Sequence, residues 1–542
     1  MTELLDLARA WAAADPDPET KAELEQLLAT AGDPLVLADL TDRFTGTLEF
    51  GTAGLRGALG AGPNRMNRVV VTRAAAGLAS YLVKNGGGSV VIGYDARRNS
   101  DVFARDTAEI MEGAGIRAML LPSALPTPVL AFAIRKLGCA AGVMVTASHN
   151  PPQDNGYKVY LGDGSQIVPP ADLDISAEIA AVGAIADLPR ADGWTTLGTE
   201  VLSSYLAAVS ALVDTCGPKD LTTVYTPLHG VGGEVVAKVM KLAGFPEPHV
   251  VAQQFAPDGA FPTVAFPNPE EAGAMDLAMA LASEVDADIV VANDPDADRA
   301  AVAVPGPHGW RMLRGDEVGA LLGDYLLRSG VKGTYACSIV SSSLLGRMAA
   351  AHQQPYAETL TGFKWIGRVE GLAFGYEEAL GYCVAPGLVK DKDGVSALLR
   401  IVELAALLKA SGQTLQDRLD EIAEKYGVHA TDQLSVRVTD LNVIADAMAR
   451  LRSAPPTVLG GLAVEQVQDL TLGSATLPPT DGLRYRLAEG ARVVVRPSGT
   501  EPKLKCYLEV VVPVTDSVDA ARIAAVGRLD AIRTDLAHAA GL

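Results

Sequence analysis

Gly142-Val143-Met144-Val145-Thr146-Ala147-Ser148-His149-Asn150-Pro151-Pro152 decides how this chain is read. The apolar start of the segment has the character of a buried strand, and the two prolines stop it and force a loop. Ser148 and His149 therefore stand at the end of a strand, where α/β proteins keep their ligand sites. A polar turn after a core strand would look the same in isolation. The two residues are neighbours, so their side chains need not face each other, and the spacing does not argue for a Ser–His dyad.

Outward from this segment, short β-rich runs alternate with Ala/Leu-rich helical stretches. Strands are predicted at Val69–Thr72, Val90–Tyr94, Ala118–Leu121, Gly142–Thr146, Thr223–Thr226, Ile289–Ala292 and Ala336–Val340, with helices such as Ser100–Ala114, Gly233–Ala243 and Ala272–Ala282 between them. That alternation predicts an α/β fold with mixed or parallel sheets. From about Val428 the pattern changes to clustered strands and a closing helix near Asp519–Ala539, which predicts a smaller α+β domain. At about 150 residues per domain, 542 residues suggest three or four domains. We expect them at 1–206, 207–308, 309–428 and 429–542.

Composition limits the partners. A formal charge of −20 without any Lys/Arg run excludes a phosphate-backbone binder, so no nucleic acid is expected. Apolar residues make up 49% of the chain, enough for sizeable cores, but no apolar stretch runs uninterrupted to membrane-spanning length. The acidic N-terminus lacks a basic segment followed by an apolar core, so no signal peptide is read there. The five scattered cysteines, without CxxC, support neither a disulfide framework nor a thiolate zinc site. A cytoplasmic enzyme or binder is the expectation.

Further segments carry chemistry. Asn293-Asp294-Pro295-Asp296-Ala297-Asp298-Arg299 sets carboxylates at every second position after a strand, so they can converge on one side of an extended loop. Three carboxylates without His or Cys favour a hard cation. The calcium EF-hand pattern fails, because Arg299 and Pro305 stand where it needs Gly and Glu. Mg²⁺ is preferred; an acidic surface turn is the plainer alternative. Arg496-Pro497-Ser498-Gly499-Thr500-Glu501-Pro502-Lys503-Leu504-Lys505 offers a guanidinium, hydroxyls and lysines between two strands, suited to a phosphate or simply a hairpin with basic flanks. Phe50–Gly57 holds glycines and Arg56. Thr361-Gly362-Phe363-Lys364 is a possible oxyanion turn, and Glu377-Glu378 could bind sugar hydroxyls or solvent. No P-loop, GxGxxG, HExxH or GxSxG occurs.

As an ordered set, TASHNP, DPDADR and RPSGTEPK resemble the serine, metal and phosphate loops of the α-D-phosphohexomutase superfamily, the phosphoglucomutases and phosphomannomutases. FGTAGLRG, QDNGYKVY, TGFKW and EEALGY look closest to the branch containing mammalian-type phosphoglucomutase 2. The resemblance spans about residues 50–510. It implies three similar mixed-sheet α/β domains plus a smaller C-terminal α+β domain around a central cleft. It also implies an isomerase that interconverts hexose 1- and 6-phosphates of glucose or mannose through a phosphoserine and a sugar bisphosphate.

By position, the resemblance makes Ser148 the phosphoserine, and Asp294, Asp296 and Asp298 the Mg²⁺ ligands together with a Ser148 phosphate oxygen. Arg56 and Lys158 would lie near the transferring group, with Lys158 as general acid/base and His149 assisting. Arg299, Thr361, Gly362, Lys364 and Glu377 would contact the sugar phosphate. Arg496, Ser498, Gly499, Thr500 and Lys505 would grip the non-reacting phosphate. A sugar 1,6-bisphosphate would prime the cycle. A serine hydroxyl needs a base, so on this reading Lys158 titrates low, pushed by neighbouring cations in a partly dry site. Ala379 stands where many hexomutases carry a sugar-binding Ser, which makes pentose phosphates rivals as substrates. A sugar-bisphosphate synthase, a phosphatase and a non-catalytic sugar-phosphate binder are the other readings.

Overall fold

Three short helices open the chain: α1 (Thr2–Ala14), α2 (Pro18–Ala29) and α3 (Pro34–Phe44). Asp17 and Asp33 cap the second and third, accepting from the Glu19 and Leu35 amides, and each is followed by a proline in the first helical turn. Ala8, Ala12, Leu24 and Leu40 form their core, with Trp11 and Phe44 packed against it. The computed structural model describes residues 2–51, 54–438, 440–498 and 503–542. They divide into two units, Met1–Met312 with Gly381–Leu407, and Leu313–Leu380 with Leu408–Leu542.

In the first unit, the sheet that carries the serine loop follows the helices. Its strands are β1 (Leu55–Ala58), β2 (Ser89–Tyr94), β3 (Arg117–Leu120), β4 (Ala141–Val145), β5 (Asp154–Leu161) and β6 (Thr195–Thr196), in the order β1-β5-β4-β2-β3-β6. β2, β3, β4 and β6 run parallel, whereas β5 runs antiparallel to both β4 and β1. Helices α4 (Arg68–Lys84), α5 (Ser100–Gly113) and α6 (Thr127–Leu137) connect the strands. Val69–Thr72, expected as a strand from its β-branched residues, lies instead in the first turns of α4. Asn67 caps that helix by accepting from the Val70 amide, and Val69, Val71 and Thr72 are buried, so packing overrides local propensity.

A second sheet repeats the plan. β7 (Thr223–Thr226), β8 (His249–Val250), β9 (Ile289–Ala292), β10 (Ala301–Gly306) and β11 (Gly309–Met312) take the order β11-β10-β9-β7-β8. β7, β8 and β9 are parallel, and β10 returns antiparallel to β9. The serine loop joins β4 to β5 and the Asp loop joins β9 to β10, so the two occupy equivalent places in their sheets. The nearby helix begins at Asp276 rather than Ala272.

In the second unit, strands Thr334–Ser338, Tyr356–Thr359 and Leu372–Glu377 pair in parallel. The C-terminal sheet is antiparallel throughout, its longest pairing joining Val428–Arg437 to Lys503–Val512. Helix Val518–Ala540 covers it, burying Ala525, Leu529, Ile532 and Leu536. Three α/β domains and a C-terminal antiparallel domain therefore make up the chain. No described helix is long and apolar enough to cross a membrane.

Candidate active site

Ser148 is buried and adopts a left-handed conformation, φ 53°. Its amide donates to Thr146 Oγ1 at 2.8 Å, and its hydroxyl donates to Asp294 Oδ2 at 2.9 Å. Contrary to the caution drawn from adjacency, His149 Nδ1 lies 3.2 Å from Ser148 Oγ, because the left-handed turn brings the two side chains together. Burial, reinforced by the charges of Arg299 and Arg56, holds the His149 imidazole well below its usual pKa and hence neutral.

One side chain organises the loop around this serine. Arg97 Nη2 donates to the carbonyls of Ser148 and Asn150, both at 2.6 Å, and Nη1 donates to those of Pro151 at 2.7 Å and Asp154 at 3.1 Å. Asp95 lies 3.4 Å from the Arg97 guanidinium and also accepts from the Arg97 amide.

The three aspartates converge, with ligand oxygens within 4.8 Å of one another, and all are buried. Lys158, on β5, donates to Asp296 Oδ2 at 2.7 Å and Asp298 Oδ2 at 3.0 Å. Lys392 Nζ lies 3.3 Å from Asp298 Oδ2. Thr127, at the start of α6, clasps Asp296 twice, its hydroxyl donating to Oδ2 at 2.6 Å and its amide to the backbone carbonyl at 2.9 Å. The Arg299 amide donates to Asp294 Oδ1 at 3.0 Å. Arg56 Nη1 donates to Asn150 Oδ1 at 3.1 Å.

Burial, together with the charges of Asp296 and Asp298, drives the Asp294 carboxyl well above its usual range. Burial would raise Asp296 too, but the Lys158 ammonium and the Thr127 hydroxyl overcome it and hold that carboxyl low. The expectation that Lys158 titrates low is overturned. Burial does pull it down, yet the Asp296 and Asp298 carboxylates outweigh burial and the charges of Lys392 and Arg56, so its pKa is raised.

A metal fits this donor set. Asp296 Oδ1 and Asp298 Oδ1 are buried oxygens without a hydrogen-bond partner among the described residues, and oxygen-only ligands suit a hard divalent cation.

In the second unit, Gly362, at φ 109°, donates its amide to Glu377 Oε1 at 2.5 Å. Thr361 and Lys364 flank it, with the Lys364 ammonium 5.9 Å from the Trp365 ring centre. Glu378 Oε2 accepts from Ser341 Oγ at 2.9 Å and Ser338 Oγ at 3.1 Å. Arg496 and Lys505 are cross-strand partners, and the Ser498 amide donates to the Lys503 carbonyl at 2.8 Å. Gly499 and Thr500 lie outside the described residues.

Four family models match in the same order. Residues 47–185, 203–307 and 314–426 match the alpha/beta/alpha domains I, II and III of phosphoglucomutase/phosphomannomutase, and 434–525 match its C-terminal domain. The chain belongs to the phosphoglucomutase/phosphomannomutase family. A probable phosphomannomutase of Haemophilus influenzae is 53% identical over 455 residues, covering 82% of this chain and 93% of that protein. A phosphopentomutase of Mus musculus is 36% identical over 567 residues, covering 93% and 89%. Among solved structures, a putative phosphomannomutase from Thermus thermophilus has a TM-score of 0.72 at 26% identity, covering 91% of this chain and 99% of that one.

The sequence motifs did not single out Arg97, Thr127 or Lys392. Arg97 sits just past the end of a strand, in Asp95-Ala96-Arg97, the same kind of position that drew attention to Ser148. Lys392 lies in Lys390-Asp391-Lys392-Asp393, an alternation much like that of the Asp loop. For Thr127 no local signal exists. Only the fold sets it beside Asp296.

Proposed function

We propose that the protein is a phospho-sugar mutase that interconverts hexose 1-phosphate and hexose 6-phosphate, of glucose or mannose, with Ser148 as phosphoryl carrier. The observation that carries this reading is the Ser148 hydroxyl donating at 2.9 Å to Asp294 within a buried three-carboxylate cluster. A polar turn or a simple binding site has no need of a buried serine on a carboxylate loop. Asp294, Asp296 and Asp298 would hold Mg²⁺, which when bound supplies the positive charge that phosphoryl oxygens need.

The phosphoryl group leaves Ser148 Oγ for a sugar hydroxyl. One O–P bond breaks at the serine and one forms at the sugar; the sugar hydroxyl gives up its proton and Ser148 Oγ takes one up, so bonds and protons balance. The resulting bisphosphate reverses, and its other phosphate returns to Ser148. A sugar 1,6-bisphosphate primes the unphosphorylated enzyme. The neutral His149 and its 3.2 Å contact to Ser148 Oγ support it as proton acceptor when that hydroxyl attacks the bisphosphate. Lys158, held cationic, supplies charge and acts as a proton donor, and Arg56 adds a second positive charge. In the other unit, Glu377 beside the Gly362 amide would read sugar hydroxyls. Thr361, Lys364, Arg299, Arg496, Ser498, Gly499, Thr500 and Lys505 would bind the phosphate and orient the sugar.

Ala379 and the likeness to a phosphopentomutase favour ribose phosphate as the second reading. Side-by-side kcat/KM for glucose 1-phosphate, mannose 1-phosphate and ribose 1-phosphate, with Mg²⁺ and a bisphosphate primer, decides between them. A dominant pentose activity would displace the hexose assignment. Ser148→Ala is expected to lose at least about 10⁴-fold in kcat. Intact mass should show one phosphate on the wild type, after incubation with glucose 1,6-bisphosphate if not before, and none on the variant. A wild type that never carries that phosphate would refute the mutase reading.

A further inference from the structure

We propose that helices α1–α3 are a brace that fixes Arg56 through Glu23 and Arg43, making these two positioning residues for phosphoryl transfer. The proposal rests on the role assigned to Arg56 above.

Arg56 needs such support. Its strand, β1, has four residues and lies at the sheet edge with β5 as its one neighbour, Arg56 opposite Gly156. A short edge strand is weakly held by its own hydrogen bonds. Beyond it the chain turns through Leu59–Asn67 into α4, and this turn is gripped by the helices, which lie ahead of the first family-matched segment. Ala61 is fully buried in the helical core beside Ala8, Ala12, Leu24 and Leu40.

Both backbone groups of Ala61 are taken up there. Its amide donates to Glu23 Oε2 at 2.8 Å, and its carbonyl accepts from Arg43 Nη1 at 3.2 Å. Arg43 Nη1 in turn lies 2.9 Å from Glu23 Oε1, which closes the clasp. Gly60 and Gly62 flank Ala61 at φ 152° and 108°, where an L side chain would strain the backbone, and a Cβ at either would press on Arg43 at 3.0 or 3.1 Å and make it give way. Asn67 Nδ2 locks the loop from behind by donating to the Gly60 and Gly62 carbonyls at 2.9 and 2.8 Å.

The same turn is tied to the serine loop, because the Leu59 amide donates to the Gln153 carbonyl at 2.8 Å. The turn that follows the strand bearing Arg56 is thus held at two successive points, by the serine loop at Leu59 and by the helical module at Ala61. Releasing the module end would loosen the guanidinium by a fraction of its contact distance to Asn150, and misplacement of about 1 Å costs on the order of 100-fold in rate.

The test uses full-length Glu23→Ala, Glu23→Gln, Arg56→Ala and the Glu23→Ala/Arg56→Ala double variant. Glu23→Ala is expected to lower kcat about tenfold or more with KM changed less than about twofold. Glu23→Gln keeps an oxygen for the Ala61 amide and should recover most of kcat. In the Arg56→Ala background, Glu23→Ala should add almost nothing, which a general loss of stability would not reproduce. Hydrogen exchange at residues 55–61 should quicken about tenfold in Glu23→Ala, with α4 unchanged. Should Glu23→Ala fail to fold, Arg43→Lys, which loses the guanidinium fork but not the charge, is read in its place. Wild-type kcat with unchanged exchange, fully additive losses, or Glu23→Gln as impaired as Glu23→Ala would each overturn the brace. A wild type without mutase activity would sink the functional reading alone, since the exchange measurement decides the brace independently.

Discussion

Glu378 shows how one residue couples its environment to pH. Burial, then the charge of Glu377 and that of Asp316, pushes its carboxyl up to about 7 from 4.5. A raised carboxyl pKa means the folded protein holds its proton more tightly than the unfolded chain does. The stabilising contribution is therefore complete below pH 4.5 and lost as pH rises through about 7. The unit of Leu313–Leu380 with Leu408–Leu542 should lose about 2 kcal/mol across this window, after discounting for the partial exposure of the side chain. Thermal melts from pH 4.5 to 8 check this, and Glu378→Gln should flatten the decline. An unchanged slope in the variant would refute the assignment. The acidic pair was legible in the sequence. Its divided environment was not, because Ser338 and Ser341, which donate to Glu378, come from a strand end some forty residues earlier.

The serine loop depends as an element on one guanidinium. A planar fork can serve four carbonyls at once, whereas an ammonium has three donors from a single point. Arg97→Lys should therefore release at least one of the Ser148, Asn150, Pro151 and Asp154 carbonyls, at a cost of about 1–3 kcal/mol. The expected result is a kcat loss of about 100-fold or more and a lower melting midpoint, with Mg²⁺ affinity less affected. Calorimetry and steady-state kinetics read the two effects separately, and wild-type kcat in the variant would show that the loop holds its shape unaided. At this scale the strand before Ser148 was predictable from four apolar residues and two prolines. The strand expected at Val69–Thr72 was not what formed, because the Asn67 cap and burial against the sheet favoured a helix.

For the molecule as a whole, the Mg²⁺ site proposed at the Asp cluster would tie stability to the metal. A ligand that binds only the folded state raises the midpoint by mass action. Mg²⁺ should raise the midpoint of the unit containing the Asp loop, a chelator should reverse the rise, and the other unit should not respond. Asp294→Asn should leave the metal-free midpoint unchanged or higher, since Asp294 is already driven toward its neutral form by burial and by its two neighbours. The same variant should lose the Mg²⁺ response, which differential scanning calorimetry with and without chelator would show. A full response in Asp294→Asn would rule out the cluster as the metal site. By itself, the sequence determined the α/β alternation, the strand-rich C-terminal domain and the position of the serine and Asp loops after their strands, because periodicity, proline stops and carboxylate spacing are local properties of the chain. Tertiary structure alone decided that Thr127 and Lys158 meet Asp296, that the Asp296 and Asp298 carboxylates raise the Lys158 pKa, and that Glu23 and Arg43 hold the turn after Arg56. Those contacts join segments far apart in the chain, and a side chain's charge is set by what packs around it rather than by what precedes it.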